Sequence, residues 1–140
     1  MNMAEEIIIS PLRDELIEDI NITNDYFKVF GKVIPSLQSG KWSFEEHLFD
    51  ETKEIRFPDD KLDWGQYINR EDKALFLAYK NNNCIGQIRI MKDWNRFCYI
   101  ENIATKKEFR GYGIGRLLLT KGGRVGKTKK TYRNVFRDPR

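Results

Sequence analysis

The sequence predicts an α+β fold, a mixed and mainly antiparallel sheet with flanking helices. Three observations carry that expectation. Residues 74–80 and 84–91 are strand-length runs rich in apolar residues, separated by Asn81, Asn82 and Asn83. Asparagine tolerates the left-handed conformation that a tight hairpin turn needs. A third such run, 97–104, follows once residues 92–96 have turned the chain. Glycines at 111, 113 and 115 then lead into Ile114, Leu117 and Leu118, which have the spacing of one helix face. Three antiparallel strands in series, closed by a helix, are the order of an α+β sheet.

The preceding elements are read in order. Ile7, Ile8 and Ile9 predict a first strand that stops near Pro11. Leu12, Leu16, Ile17 and Ile20 are spaced for a short helix with acids facing out. Residues 26–35 form a second extended segment, with Gly31 marking a bulge. Ser39 and Gly40 predict a turn. Ser43 and Glu46 have the spacing of a capping box, which predicts a helix through Leu48 and Phe49 carrying His47. Residues 45–63 hold eight acids against three bases, and the acidic loop at 57–60 could attract a cationic substrate. Gly86 is expected at a bulge in its strand.

A chain of 140 residues with 40% hydrophobic residues suits one domain with a real core. No apolar run approaches the length of a membrane span. The acidic start lacks the basic region of a signal peptide, so a cytoplasmic location is expected. Cys84 and Cys98 lie on different predicted strands without a Cys-x-x-Cys motif, as structural thiols do. His47 is the sole histidine, and no metal site is expected.

The net charge of +4 divides unevenly, with −3 on residues 1–120 and +7 on residues 121–140. A basic-tailed binding module for nucleic acid is therefore the alternative reading. It is the weaker one, since the tail has only Tyr132 and Phe136 as aromatics and no nucleic-acid motif. Residues 122–128 imitate a phosphate-binding P-loop, but that pattern needs glycine at Lys121 and a preceding strand.

The glycine loop carries the chemistry. Glycines let the backbone adopt positive φ and approach a ligand closely. Free amides and the dipole at a helix start then favour an anion. Residues 110–115 fit Arg/Gln-x-x-Gly-x-Gly/Ala, whereas a dinucleotide fingerprint would need glycine at Arg116. Set between a strand and a helix, this loop resembles the pyrophosphate loop of the GNAT N-acetyltransferase superfamily. Within it, residues 92–104 resemble the Asn-Trp-Asn-Arg-x-x-Tyr-Ile-Glu-Asp-Ile-Ala segment of the streptothricin acetyltransferase group. Residues 31–35 with Trp42, Ser43 and Phe44 resemble that group's amino-terminal part. The likeness spans about residues 26–121, and Asn102 stands where the group has aspartate.

The resemblance implies an acetyl-CoA-dependent N-acetyltransferase with a small-molecule primary amine, on streptothricin, as acceptor. It implies that Ile103, Ala104 and Thr105 pair with the pantetheine arm. Arg110, Gly111, Tyr112, Gly113, Ile114, Gly115 and Arg116 would cradle the pyrophosphate. Glu101 is the candidate catalytic base for an incoming ammonium; the alternative is a half-buried strand carboxylate satisfied by Arg96 or another neighbour. Trp94 and Tyr99 would line the acceptor cleft or belong to the core. No Ser-His or Cys-His arrangement is present, which suits direct attack of the amine on the thioester.

The likeness to the superfamily stops near residue 121. Domain boundaries of 1–120 for the acetyltransferase part and 121–140 for a basic, non-family tail are therefore expected. Gly122 and Gly123 each cost a helix about 1 kcal/mol relative to alanine, which argues against the helix continuing. A one-base shift of reading frame near Thr120 and Lys121 would restore a helix-forming, family-like sequence. The sheet is accordingly expected to be incomplete after the family's third helix, and the 140-residue form to be inactive or nearly so.

Overall fold

The structure is a computed structural model that describes residues 6–93, 97–128 and 133–134. The chain forms two compact units, residues 26–57 and the rest. In the larger unit β4 (Lys73–Lys80) and β5 (Asn83–Lys92) pair antiparallel. Their turn places Asn81 and Asn82 at φ +50 and +64, which explains the asparagines. β1 (Ile8–Pro11) lies along β4, and β6 (Phe97–Thr105) lies along β5. β7 (Arg133–Asn134) runs parallel to Phe97 and Cys98, which gives the order β1-β4-β5-β6-β7. Past Cys98 the outer edge of β6 has no strand beside it among the described residues.

Both faces of this sheet are covered, so its central strands read as nearly continuous apolar runs. On one face Phe76, Ile88, Ile90 and Cys98 pack with Ile114 and Leu118 of α1 (Ile114–Thr128). On the other, Leu75, Leu77 and Cys84 pack with Leu12, Ile20 and Tyr67. Leu12 and Ile20 flank a 3-10 helix, Asp14–Asp19, whose Leu16 and Ile17 pack against the same cluster. The bulge expected at Gly86 is present, as the register skips Ile85 between Ala78↔Gly86 and Tyr79↔Cys84. A Cβ at Gly86 would stand 3.1 Å from both Ile114 Cγ2 and Leu118 Cδ1. The missing side chain is what lets α1 sit against the sheet. The helix also runs on through Gly122 and Gly123 to Thr128. Both glycines are buried and Val125 packs on the core, so burial outweighs their poor helix propensity.

The smaller unit is a hairpin of β2 (Phe27–Gln38) and β3 (Lys41–Ile55), with Ser39 and Gly40 turning at positive φ. The expected bulge appears as a register shift between Val29 and Gly31. The expected helix over 43–49 does not form. Ser43 pairs across the strands with Ser36, their hydroxyls 2.8 Å apart. The alternation of Trp42, Phe44 and Leu48 with polar residues has the period of a strand, and a long partner strand is available. Together they override the local capping signal. His47 is exposed on this strand, 3.1 Å from Glu45.

Candidate functional site

The site begins with an irregularity in β6. Arg89 pairs with Asn102 and Ile90 with Ile100, so Glu101 is the extra residue of a bulge. Arg89 also lies opposite Leu75, which puts Arg89 and Asn102 on the sheet face shared with Leu77 and Tyr67. Tyr67 closes a short 3-10 turn, Trp64–Tyr67, whose start is held by the Asp63 carboxylate accepting from the Gly65 amide.

Four side chains form one network. The Tyr67 hydroxyl donates to Glu101 Oε1 at 2.7 Å. Arg89 Nη2 donates to Asp60 Oδ2 at 2.8 Å, and its Nε lies 3.9 Å from Glu101 Oε2. The Arg89 guanidinium also rests over the Trp64 ring, 5.4 Å from its centroid. Asn21 fixes Asp60 by accepting from its amide at 3.3 Å and donating to its carbonyl at 3.0 Å. Burial first, and then the bond to Glu101, push the Tyr67 hydroxyl above the ordinary tyrosine range. Two carboxylates thus face one buried guanidinium, and the excess negative charge suits an approaching ammonium.

Glu101 therefore has partners in Tyr67 and Arg89; Arg96 and Trp94 lie outside the described residues. Tyr67, Arg89 and Trp64 were not marked by sequence reasoning, and Asp60 only as part of the acidic loop at 57–60. One signal for Arg89 was available, as a lone cation within an apolar strand must be paired if it is buried. Asp60 comes from the acidic loop. Tyr99 is exposed on β6, and Ile103 is exposed while Ala104 and Thr105 are half-buried on the same strand.

The glycine loop follows β6 and a short 3-10 turn, Lys107–Phe109. Gly111 and Gly113 stand at φ +84 and +85, and a Cβ at 111, 113 or 115 would meet no atom within 4 Å. The first helical bond runs from the Leu117 amide to the Gly113 carbonyl at 3.1 Å. The amides of Ile114, Gly115 and Arg116 precede it and have no acceptor within the helix. The helix has no acid in its first turn. An open backbone with amides that the helix does not use fits a diphosphate. The Ile114 side chain is buried in the core, so its backbone alone faces the loop; Tyr112 and Arg116 are exposed. Arg110 turns back, donating from Nε to the Thr105 carbonyl at 3.1 Å and from Nη2 to the Asp25 carbonyl at 3.5 Å. The Asp25 carboxylate accepts from the Lys107 amide at 3.0 Å. These bonds tie the loop to the end of β6.

Cys84 and Cys98 are unpaired, and burial pushes both thiols up to about 11. Among the described residues no cluster of His, Cys, Asp and Glu could hold a metal ion, and no helix is long and apolar enough to cross a membrane.

The sequence profile of the acetyltransferase (GNAT) family matches residues 38–136. The chain belongs to that family. This GNAT chain is 41% identical over 104 residues to streptothricin acetyltransferase A of Bacillus subtilis (strain 168), a match that covers 74% of it. It spans 60% of the length of that relative. Among solved structures it is similar to a candidate streptothricin acetyltransferase from Bacillus anthracis str. Ames in complex with acetyl coenzyme A. The TM-score is 0.74 at 24% identity, over 89% of this chain and 70% of the other. It is also similar to nourseothricin acetyltransferase, with a TM-score of 0.71 at 20% identity, over 89% and 69% of the two chains. These two likenesses establish the GNAT fold.

Proposed function

We propose that this GNAT chain is an N-acetyltransferase that moves the acetyl group of acetyl-CoA to a primary amine, and that the amine belongs to streptothricin. The observation that carries the reading is the junction of an open glycine loop with the bulged strand that bears Glu101. The identity to the Bacillus subtilis enzyme supports the choice of acceptor. The two unpaired, buried cysteines suit a reducing, cytoplasmic compartment.

When bound, acetyl-CoA supplies an acetyl group activated as a thioester. The loop from Arg110 to Arg116 holds the diphosphate with its backbone amides, while the Arg110 side chain fixes the loop to Thr105. The outer edge of Ile103, Ala104 and Thr105 offers backbone groups to the pantetheine arm, as an added strand would. Glu101 accepts the proton of the incoming ammonium, directly or through water, because only the free amine can attack. Tyr67 holds the Glu101 carboxylate in place, and Asp60 compensates the Arg89 charge so that Glu101 is not locked in an ion pair. A strand N–H stabilises the charge that develops on the carbonyl oxygen. Tyr99 belongs to the acceptor side.

The test is release of free coenzyme A from acetyl-CoA on adding streptothricin, by a chain whose reading frame is restored after Thr120, because the 140-residue chain itself should release little or none. Release that requires both compounds, and that falls on the order of 10²-fold in Glu101→Gln, is the expected result. Equal release by Glu101→Gln, or release indifferent to streptothricin, would overturn the reading.

A further inference from the structure

One short segment touches both halves of the site. Residues 19–25 lead out of the 3-10 helix through two turns, closed by bonds from the Ile22 amide to the Asp19 carbonyl and from the Asn24 amide to the Asn21 carbonyl. Its start is fastened to the sheet. The Asp19 carboxylate accepts from the Tyr79 hydroxyl at 2.6 Å, and Ile20 is buried with Leu75 and Leu77. Asn21 then grips Asp60, donating to its carbonyl at 3.0 Å and accepting from its amide at 3.3 Å. Asn24 braces Asn21 by donating to its Oδ1 at 3.0 Å. Asp60 in turn holds Arg89, which faces Glu101. At the other end the Asp25 carboxylate accepts from the Lys107 amide, and the Asp25 carbonyl accepts from Arg110 Nη2. Those two residues lead into the glycine loop.

The segment is also held against local cost. Asn21 stands at φ +75, a region that side chains other than glycine enter rarely. Thr23 is 1% exposed, and its hydroxyl has no hydrogen-bond partner among the described residues. A left-handed residue and a buried hydroxyl without a partner both disfavour this conformation. Its end contacts therefore maintain it, and strengthening either end stabilises the whole. We propose that Asn21 and Asp25 are positioning residues. Resting on the reading of the glycine loop as the acetyl-CoA seat, the link works as follows. A diphosphate bound to the amides of residues 114–116 fixes the loop, and Asp25 passes that order to Asn21 through an unbroken series of bonds. Asn21 then holds Asp60, and with it Arg89 and Glu101, in place for the acceptor amine. The coupling is reciprocal, so an acceptor bound at Asp60 and Glu101 tightens acetyl-CoA by the same factor.

Amide hydrogen exchange of the 140-residue chain, followed by NMR with and without acetyl-CoA, tests the link. The amides of residues 114–116 report the ligand. The Asp60 amide reports the link, because it donates to Asn21. In the wild type acetyl-CoA should slow both, Asp60 by about 10-fold. Asn21→Gly suits the positive φ and removes only the side chain. It should keep the effect at 114–116 and lose that at Asp60. Asp25→Ala should lose the Asp60 response as well, whereas Asp25→Asn, whose amide oxygen can still accept from Lys107, should retain it. A merely structural role would not make the response depend on that oxygen. Slowing at 114–116 without slowing at Asp60 in the wild type would overturn the proposal and leave the acetyl-CoA reading standing. So would an Asp60 response that survives Asp25→Ala. No slowing at 114–116 would overturn the acetyl-CoA reading and the proposal with it.

Discussion

Replacing Tyr67 by Phe removes one hydroxyl and leaves the ring in the core, so it isolates the bond to Glu101. That bond is 2.7 Å long and ends on a carboxylate whose side chain is 19% exposed. A hydrogen bond to a charged group contributes roughly 1.5–3 kcal/mol. Water can reach Glu101 and replace part of it, so the lower figure applies, about 1.5 kcal/mol. For a domain of this size that corresponds to a loss of about 5 °C in Tm. A second signature appears at alkaline pH. Burial and the Glu101 bond raise the Tyr67 pKa in the folded state. The stability linked to its protonated hydroxyl is complete below the unfolded value near ~10 and is lost as pH rises from there toward the folded value. The slope is about 1.4 kcal/mol per pH unit for each such tyrosine. Tyr79 is raised likewise, by burial and by its 2.6 Å bond to Asp19. The two together should steepen the alkaline loss by about 2.7 kcal/mol per unit, and Tyr67→Phe should halve that increment. Urea unfolding followed by circular dichroism at neutral pH and at several values above ~10 reads both effects. Unchanged stability at neutral pH together with an unchanged alkaline slope would refute the reasoning.

Two further outcomes follow from the packing. Gly86→Ala places a methyl group 3.1 Å from Ile114 and Leu118 and 3.3 Å from the Ala104 carbonyl; it should cost about 1–3 kcal/mol in chemical denaturation, and a neutral result would show that α1 does not pack this closely. Cys84 and Cys98 should resist an aromatic disulfide reagent in the native chain, because they are buried and burial raises both to about 11. Both should react once the chain is unfolded, and rapid native labelling would contradict the two-sided core.

Much of the larger unit was legible because its signals are local. Asn81 and Asn82 announce a turn that needs positive φ at both positions, and the glycines before Ile114 mark where a loop becomes a helix. The failures were non-local. Ser43 and Glu46 look like a helix start until β2 is laid beside them, and the pairing Ser36↔Ser43 depends on a partner that no short window contains. Gly122 and Gly123 look like a helix end until their burial is seen. At the candidate site, the place of Glu101 on its strand was legible. Its partners were not, because Tyr67 stands 34 positions away and meets it only when a connecting segment folds over the sheet. The bulge that makes room for Glu101 is likewise a property of the β5–β6 register.

The central claim is that acetyl-CoA lies along the edge of β6 with its diphosphate in the glycine loop. Calorimetric titration of acetyl-CoA into the wild type and into Gly113→Val tests it most directly. Gly113 stands at φ +85, where a β-branched residue is strained and its side chain would fill the approach to the amides. The account predicts binding by the wild type, and its loss in a variant that circular dichroism shows to be folded. Equal binding by the two chains would contradict it.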